Sequence, residues 1–87
     1  MIQTTYTVKS KDGLHARPAS LLTKLASEFD GEVDLGYKDK TVTMKSIMAV
    51  MSLGIPHNAT FTITVDGDGE NAHKEKLESL LREHEII

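Results

Sequence analysis

Among the four histidines of this sequence, one stands in a pattern that suggests chemistry, the stretch Gly13-Leu14-His15-Ala16-Arg17-Pro18-Ala19-Ser20. Proline is tolerated in the first turn of a helix, where the N–H it lacks would have no partner. Pro18 therefore sets a helix start near Ala16 and puts His15 at or next to the N-cap. Unpaired N–H groups and the positive end of the helix dipole favour an anion at such a place. A phosphoryl group on one ring nitrogen would be held by the helix N-terminus and by Arg17, whose guanidinium suits phosphate oxygens. Gly13 and Leu14 would hold the approach to the site. Spacing alone fits equally a surface-loop histidine beside a solvated arginine.

The other histidines suggest less. His57 falls in a loop, and His73 and His84 lie on the last helix without a metal-ligand spacing or a triad partner. No metal and no cofactor are expected. The second stretch of interest is Lys45-Ser46-Ile47-Met48-Ala49-Val50-Met51-Ser52-Leu53-Gly54. It offers more apolar residues than a two-turn helix buries on one face. With Val50 and Leu53 inward, Ile47, Met48 and Met51 must be at least partly exposed, and flexible methionines suit a surface that accepts several partners. Burial of all of them in the core is the plainer alternative. Ser46 at the helix start is an N-cap by residue type, and the dipole would tolerate a phosphate there.

The elements that must position these residues follow from periodicity. Ile2, Thr4, Tyr6 and Val8 alternate as in a half-buried strand that ends at Lys11-Asp12-Gly13. Ala16 to Ser27 is an amphipathic helix with Ala19, Leu22 and Ala26, then Phe29, at helical spacing, widened by Leu21 and Leu25. Val33, Leu35 and Tyr37 make a second strand. Lys38-Asp39-Lys40 reads as a hairpin turn into a short strand, Thr41 to Met44. A short helix over Ser46 to Leu53 is stopped by Gly54. Ala59, Phe61, Ile63 and Val65 alternate with threonines and Asp66 in the clearest strand. The last helix, Asn71 to about Glu85, sets Leu77, Leu80, Leu81 and His84 on one stripe. The order βαββαβα implies a two-layer α/β sandwich with a largely antiparallel sheet, one face of which stays open to water.

Length and composition leave room for one domain, residues 1–87, since 87 residues are close to the least that builds a core unaided. Hydrophobic residues at 39% and charged residues at 26% are those of a folding chain. The absence of cysteine fits a reducing compartment. No signal-like N-terminus and no stretch of membrane-spanning length is present, so a cytoplasmic protein without membrane insertion is expected. A net charge of −3 argues against direct nucleic-acid binding. Residues 1–54 carry seven Lys/Arg against six Asp/Glu, and residues 55–87 three against seven. Anion chemistry thus belongs to the first half, although a solvated acidic helix gives the same asymmetry.

Gly13-Leu14-His15-Ala16-Arg17-Pro18-Ala19, together with Lys45-Ser46-Ile47-Met48 and Met51-Ser52-Leu53-Gly54, closely resembles HPr. This is the histidine-containing phosphocarrier family of the bacterial phosphoenolpyruvate-dependent sugar phosphotransferase system. The similarity covers essentially the whole chain. It implies an α+β fold, an open-faced sandwich of a four-stranded antiparallel sheet covered on one face by three helices. It implies that His15 receives a phosphoryl group from enzyme I, on the ring nitrogen nearer the backbone, and passes it to the A domain of a sugar-specific enzyme II. Arg17 would stabilise the phosphate. The protein would then be a carrier, not an enzyme, acting as a monomer.

The serine motif resembles the Gram-positive branch. There a dedicated HPr kinase/phosphorylase modifies the residue matching Ser46, and the product is corepressor for a catabolite-control transcription factor. Ala16, Ser20, Ile47, Met48 and Met51 would form the docking patch for enzyme I and the enzyme II domains. Two positions depart from the family pattern. Ala49 stands where many Gram-positive relatives have glycine, which favours the short helix by roughly 1 kcal/mol, and Asp12 puts a carboxylate near His15 that would repel phosphate. A purely regulatory module, like the HPr paralogues that lack the acceptor histidine, is the rival reading, and the presence of His15 counts against it. An unrelated small α/β interaction domain is the third.

Overall fold

Alternating apolar and polar residues decide the sheet. In the computed structural model, which describes residues 1–87, the strands are β1 (Ile2–Thr7), β2 (Glu32–Tyr37), β3 (Lys40–Thr43) and β4 (Thr60–Asp66). They pair in the order β1-β4-β2-β3, and every pair is antiparallel. Tyr6 lies opposite Phe61 and Thr4 opposite Ile63, while Leu35 lies opposite Ile63 and Val33 opposite Val65. Because partners in register share a face, the apolar residues collect on one side. The other side is polar: Thr5 and Thr62 hydroxyls are 3.0 Å apart, and Gln3 Nε2 donates to Thr64 Oγ1 at 3.2 Å.

The helices α1 (Ala16–Ser27), α2 (Ile47–Ser52) and α3 (Glu70–Glu83) cover the apolar face. The first turns Pro18, Ala19, Leu22 and Ala26 inward, and the third His73, Leu77 and Leu81. With Phe61, Leu35, Met44 and Ile63, the apolar residues Ala19, Leu22, Ala26, Leu77 and Leu81 form a continuous core. The four-stranded antiparallel sheet, the three helices and the order βαββαβα are as expected. Tyr6 links sheet to helix by donating its phenolic hydrogen to Glu78 at 2.8 Å. No helix is long and apolar enough to cross a membrane.

Three local expectations need correction. The β2–β3 turn is tighter than the three residues assigned to it. Tyr37 pairs with Lys40, so only Lys38 and Asp39 turn the chain, and Lys38 adopts a φ of 56°, as the twist of a two-residue hairpin requires. The last helix ends earlier than expected, and His84, assigned to its apolar stripe, is an exposed C-cap. Its place inward is taken by His73, four residues before Leu77. The end is a Schellman motif built on a non-glycine residue. Glu85 has a φ of 58°, its N–H donates to Arg82 O at 3.0 Å, and Ile86 N–H donates to Leu81 O at 2.8 Å. This reversal returns Ile86, which periodicity alone leaves unassigned, to full burial in the core.

Candidate functional site

Two loops build the surroundings of His15. Where β1 ends, Val8 N–H donates to Ala59 O at 2.9 Å, and Asn58 N–H returns a bond to Val8 O at 2.9 Å. The chain then makes a tight turn in which Gly13 N–H donates to Ser10 O at 3.1 Å and Asp12 N–H to Ser10 Oγ at 3.3 Å. Gly13 is demanded twice over: its φ is +68°, and a Cβ there would collide with the Ile55 carbonyl oxygen. Leu14 N–H donates to that same oxygen at 2.9 Å, and its side chain is buried. The α2–β4 loop is thus the platform of the His15 loop.

On this platform His15 is the N-cap of α1, extended at φ −86° and ψ −179°, with no side-chain capping bond. Its carbonyl accepts from Ala19 N–H at 3.1 Å and closes the first turn. The N–H groups of Ala16 and Arg17 have no partner within the helix, and Pro18 has no N–H, so the helix start presents free donors. The exposed ring lies with Nδ1 3.3 Å from Gly13 O. A carbonyl only accepts, so Nδ1 carries the proton when this bond is made. Arg17 is exposed and takes part in none of the ion pairs. Asp12 is likewise exposed and unpaired.

Ser46 is the N-cap of α2, its Oγ accepting from Ala49 N–H at 3.2 Å. Next to it, Lys45 Nζ donates to Phe29 O at 2.7 Å, just past the end of α1. At the other end of α2, Ile55 holds Leu14 at the start of α1. The two helices are therefore tied at both ends in opposite senses. His15 and Ser46 lie near opposite ends of the six-residue α2, whose helical rise gives a length of about 9 Å. Along it Val50 and Leu53 are buried, whereas Met48 is 81% exposed, Met51 40% and Ile47 38%. Ala16 and Ser20 are exposed on the adjacent α1.

Two features have no local signal in the sequence. His57, on the α2–β4 loop, places Nδ1 3.0 Å from Ser10 O. His73 is buried, its ring stacked 4.5 Å from Phe29. Burial, with smaller contributions from Lys76 and Lys45, holds its pKa below the ordinary value of 6.5, against an opposing effect of Glu28. Neither belongs to a group of acidic, histidine or cysteine residues able to hold a metal ion.

Comparison with known proteins places this geometry in context. The sequence model described as "PTS HPr component phosphorylation site" matches residues 2–83. A histidine-containing phosphocarrier protein from Mycoplasma is similar in structure, with a TM-score of 0.95 and 31% identity, over 99% of this chain and 98% of the other. The phosphocarrier protein HPr of Bacillus anthracis aligns with a TM-score of 0.82 and 37% identity, over 91% of this chain and 94% of that one. The catabolite repression protein Crh of Bacillus subtilis, crystallised as a swapped dimer, aligns with a TM-score of 0.73 and 37% identity over 100% and 99%.

Proposed function

This chain belongs to the HPr family of phosphocarriers of the phosphotransferase system, and from that premise we propose that His15 is its phosphoryl acceptor. The carrying observation is an exposed imidazole at a helix N-cap that makes no capping bond of its own, with the free guanidinium of Arg17 two residues on. Enzyme I donates the group, and the A domain of a sugar-specific enzyme II receives it. In each transfer the lone pair of an unprotonated ring nitrogen forms the new N–P bond. The donor's N–P bond breaks, and its electron pair returns to the donor ring.

The family places the phosphate on the ring nitrogen nearer the backbone, here Nδ1. That atom must first release its contact with Gly13 O and its proton, so transfer includes a turn of the ring. The arriving charge is then met by Arg17 and by the N–H groups of Ala16 and Arg17. The protein gives up the group to its partner and turns over nothing alone, as befits a monomeric cytoplasmic carrier of one domain, residues 1–87.

Docking falls to Ala16, Ser20, Ile47, Met48 and Met51, which adjacent helices expose. Phosphorylation of Ser46 by an HPr kinase/phosphorylase adds charge at the edge of this surface. It leaves the helix intact, because phosphate at a helix N-terminus is compatible with the dipole. Binding to a catabolite-control transcription factor would follow, a reading supported by the likeness to Crh. Incubation with enzyme I and phosphoenolpyruvate tests the proposal. The wild type should gain one phosphate by mass spectrometry and His15→Ala none, whereas an unmodified wild type beside an active control carrier would refute it.

A further inference from the structure

The α2–β4 loop contains a side chain that reaches back to the acceptor loop. His57 lies 47 residues from Ser10 in sequence, yet its Nδ1 is 3.0 Å from the Ser10 carbonyl oxygen. That same oxygen accepts from Gly13 N–H at 3.1 Å. Gly13 O in turn contacts His15 Nδ1 at 3.3 Å. A short chain of polar contacts thus runs from His57 through the Ser10–Gly13 turn to the acceptor ring.

The backbone on either side of His57 is fixed. Leu14 N–H donates to Ile55 O at 2.9 Å, Asn58 N–H to Val8 O at 2.9 Å, and Ala59 N–H to Pro56 O at 3.2 Å. Pro56 restricts its own φ, and Asn58 takes a left-handed φ of 70°. The ring is therefore directed at Ser10 by a pinned turn, although its outer surface is exposed. Because a carbonyl only accepts, Nδ1 is the donor, and the contact selects the Nδ1–H tautomer of the neutral ring.

We propose that His57 is a positioning residue for phosphoryl transfer: its Nδ1–H clips the Ser10 carbonyl and holds the Ser10–Gly13 turn that presents His15. It touches neither phosphate nor partner in this role. Its effect belongs to the rate of transfer within the docked complex, since the clip joins His57 to Ser10 and includes none of Ala16, Ser20, Ile47, Met48 and Met51. The inference rests on His15 being the acceptor.

The test compares wild type, His57→Ala and His57→Asn in phosphorylation by enzyme I and phosphoenolpyruvate. The Asn amide N–H occupies the place of the imidazole Nδ1–H and keeps the clip. Loss of one hydrogen bond corresponds to about a three- to tenfold fall in maximal rate for His57→Ala. The half-saturating carrier concentration should stay constant, and His57→Asn should recover to within about twofold of wild type. Long-range nitrogen–proton NMR correlation on the wild type should find the neutral His57 ring protonated at Nδ1. An Ala variant as fast as wild type, an Asn variant as slow as Ala, or an Nε2–H tautomer would overturn the inference. Failure of the wild type itself to be phosphorylated would overturn the acceptor assignment instead.

Discussion

In the proposed role, His15 and Arg17 would divide the work of holding a phosphate between a nucleophile without a capping duty and a cation without an ion pair. Nothing in the folded chain uses the Arg17 guanidinium, so its removal should act on transfer and not on folding. Charge-assisted hydrogen bonds contribute about 1.5–3 kcal/mol, which corresponds to about a ten- to hundredfold slower transfer in Arg17→Ala. Its thermal midpoint should move little, as for other exposed substitutions, which stay within about 0.5 kcal/mol. Paired measurements of enzyme I-dependent phosphorylation and thermal unfolding check both halves of this expectation. A variant as fast as wild type would remove Arg17 from the site. At this scale Pro18 made His15 legible, because a proline in the first turn dates the helix start. His57 was not legible, because its link to Ser10 spans 47 residues and no local pattern encodes it.

Among the elements, α2 is the least self-sufficient. It has six residues and one buried side chain, Val50, so its N-cap carries much of its order. Ser46→Ala should destabilise the protein by about 1 kcal/mol, seen as a fall in thermal midpoint of about 4–8 °C for a domain of this size. Ser46→Asp keeps a capping oxygen and should restore most of that loss, while its added charge should slow phosphorylation of His15 by way of the proposed docking surface. An Asp variant as unstable as Ala would contradict the capping account. The strands were readable because threonine and apolar residues alternate without a break in β4. Glu85 was not readable as a turn residue, and Lys38, legible as part of the hairpin turn, carried no sign of its backbone conformation. Each takes a left-handed φ that glycine or asparagine would have announced, and the tertiary fold imposes it regardless. His84 fails to face inward because the Schellman turn ends α3 there, whereas His73 is buried because it lies four residues before Leu77 on the same face.

For the whole molecule, three helices close one face of the sheet, and His73 is the one buried residue of that core with a titrating side chain in the physiological range. Its pKa lies below 6.5 in the fold, chiefly through burial. The unfolded chain therefore takes up the proton first as pH falls below that value, and stability declines until the folded ring is also protonated. Above it the contribution is fully present. His73→Phe keeps a ring against Phe29 and should reduce this part of the acid loss. Thermal midpoints followed from about pH 7.5 to 5 in both proteins read the difference, and parallel profiles would show that His73 is not the source. In the proposed function the phosphoryl group passes from one protein partner to another by way of one ring nitrogen of His15, a path that phosphorus NMR after incubation with enzyme I and phosphoenolpyruvate can follow. A single acid-labile phosphohistidine signal is expected, absent in His15→Ala and lost when an enzyme II A domain is added. A signal that persists in His15→Ala, or none in the wild type beside an active control carrier, would contradict it.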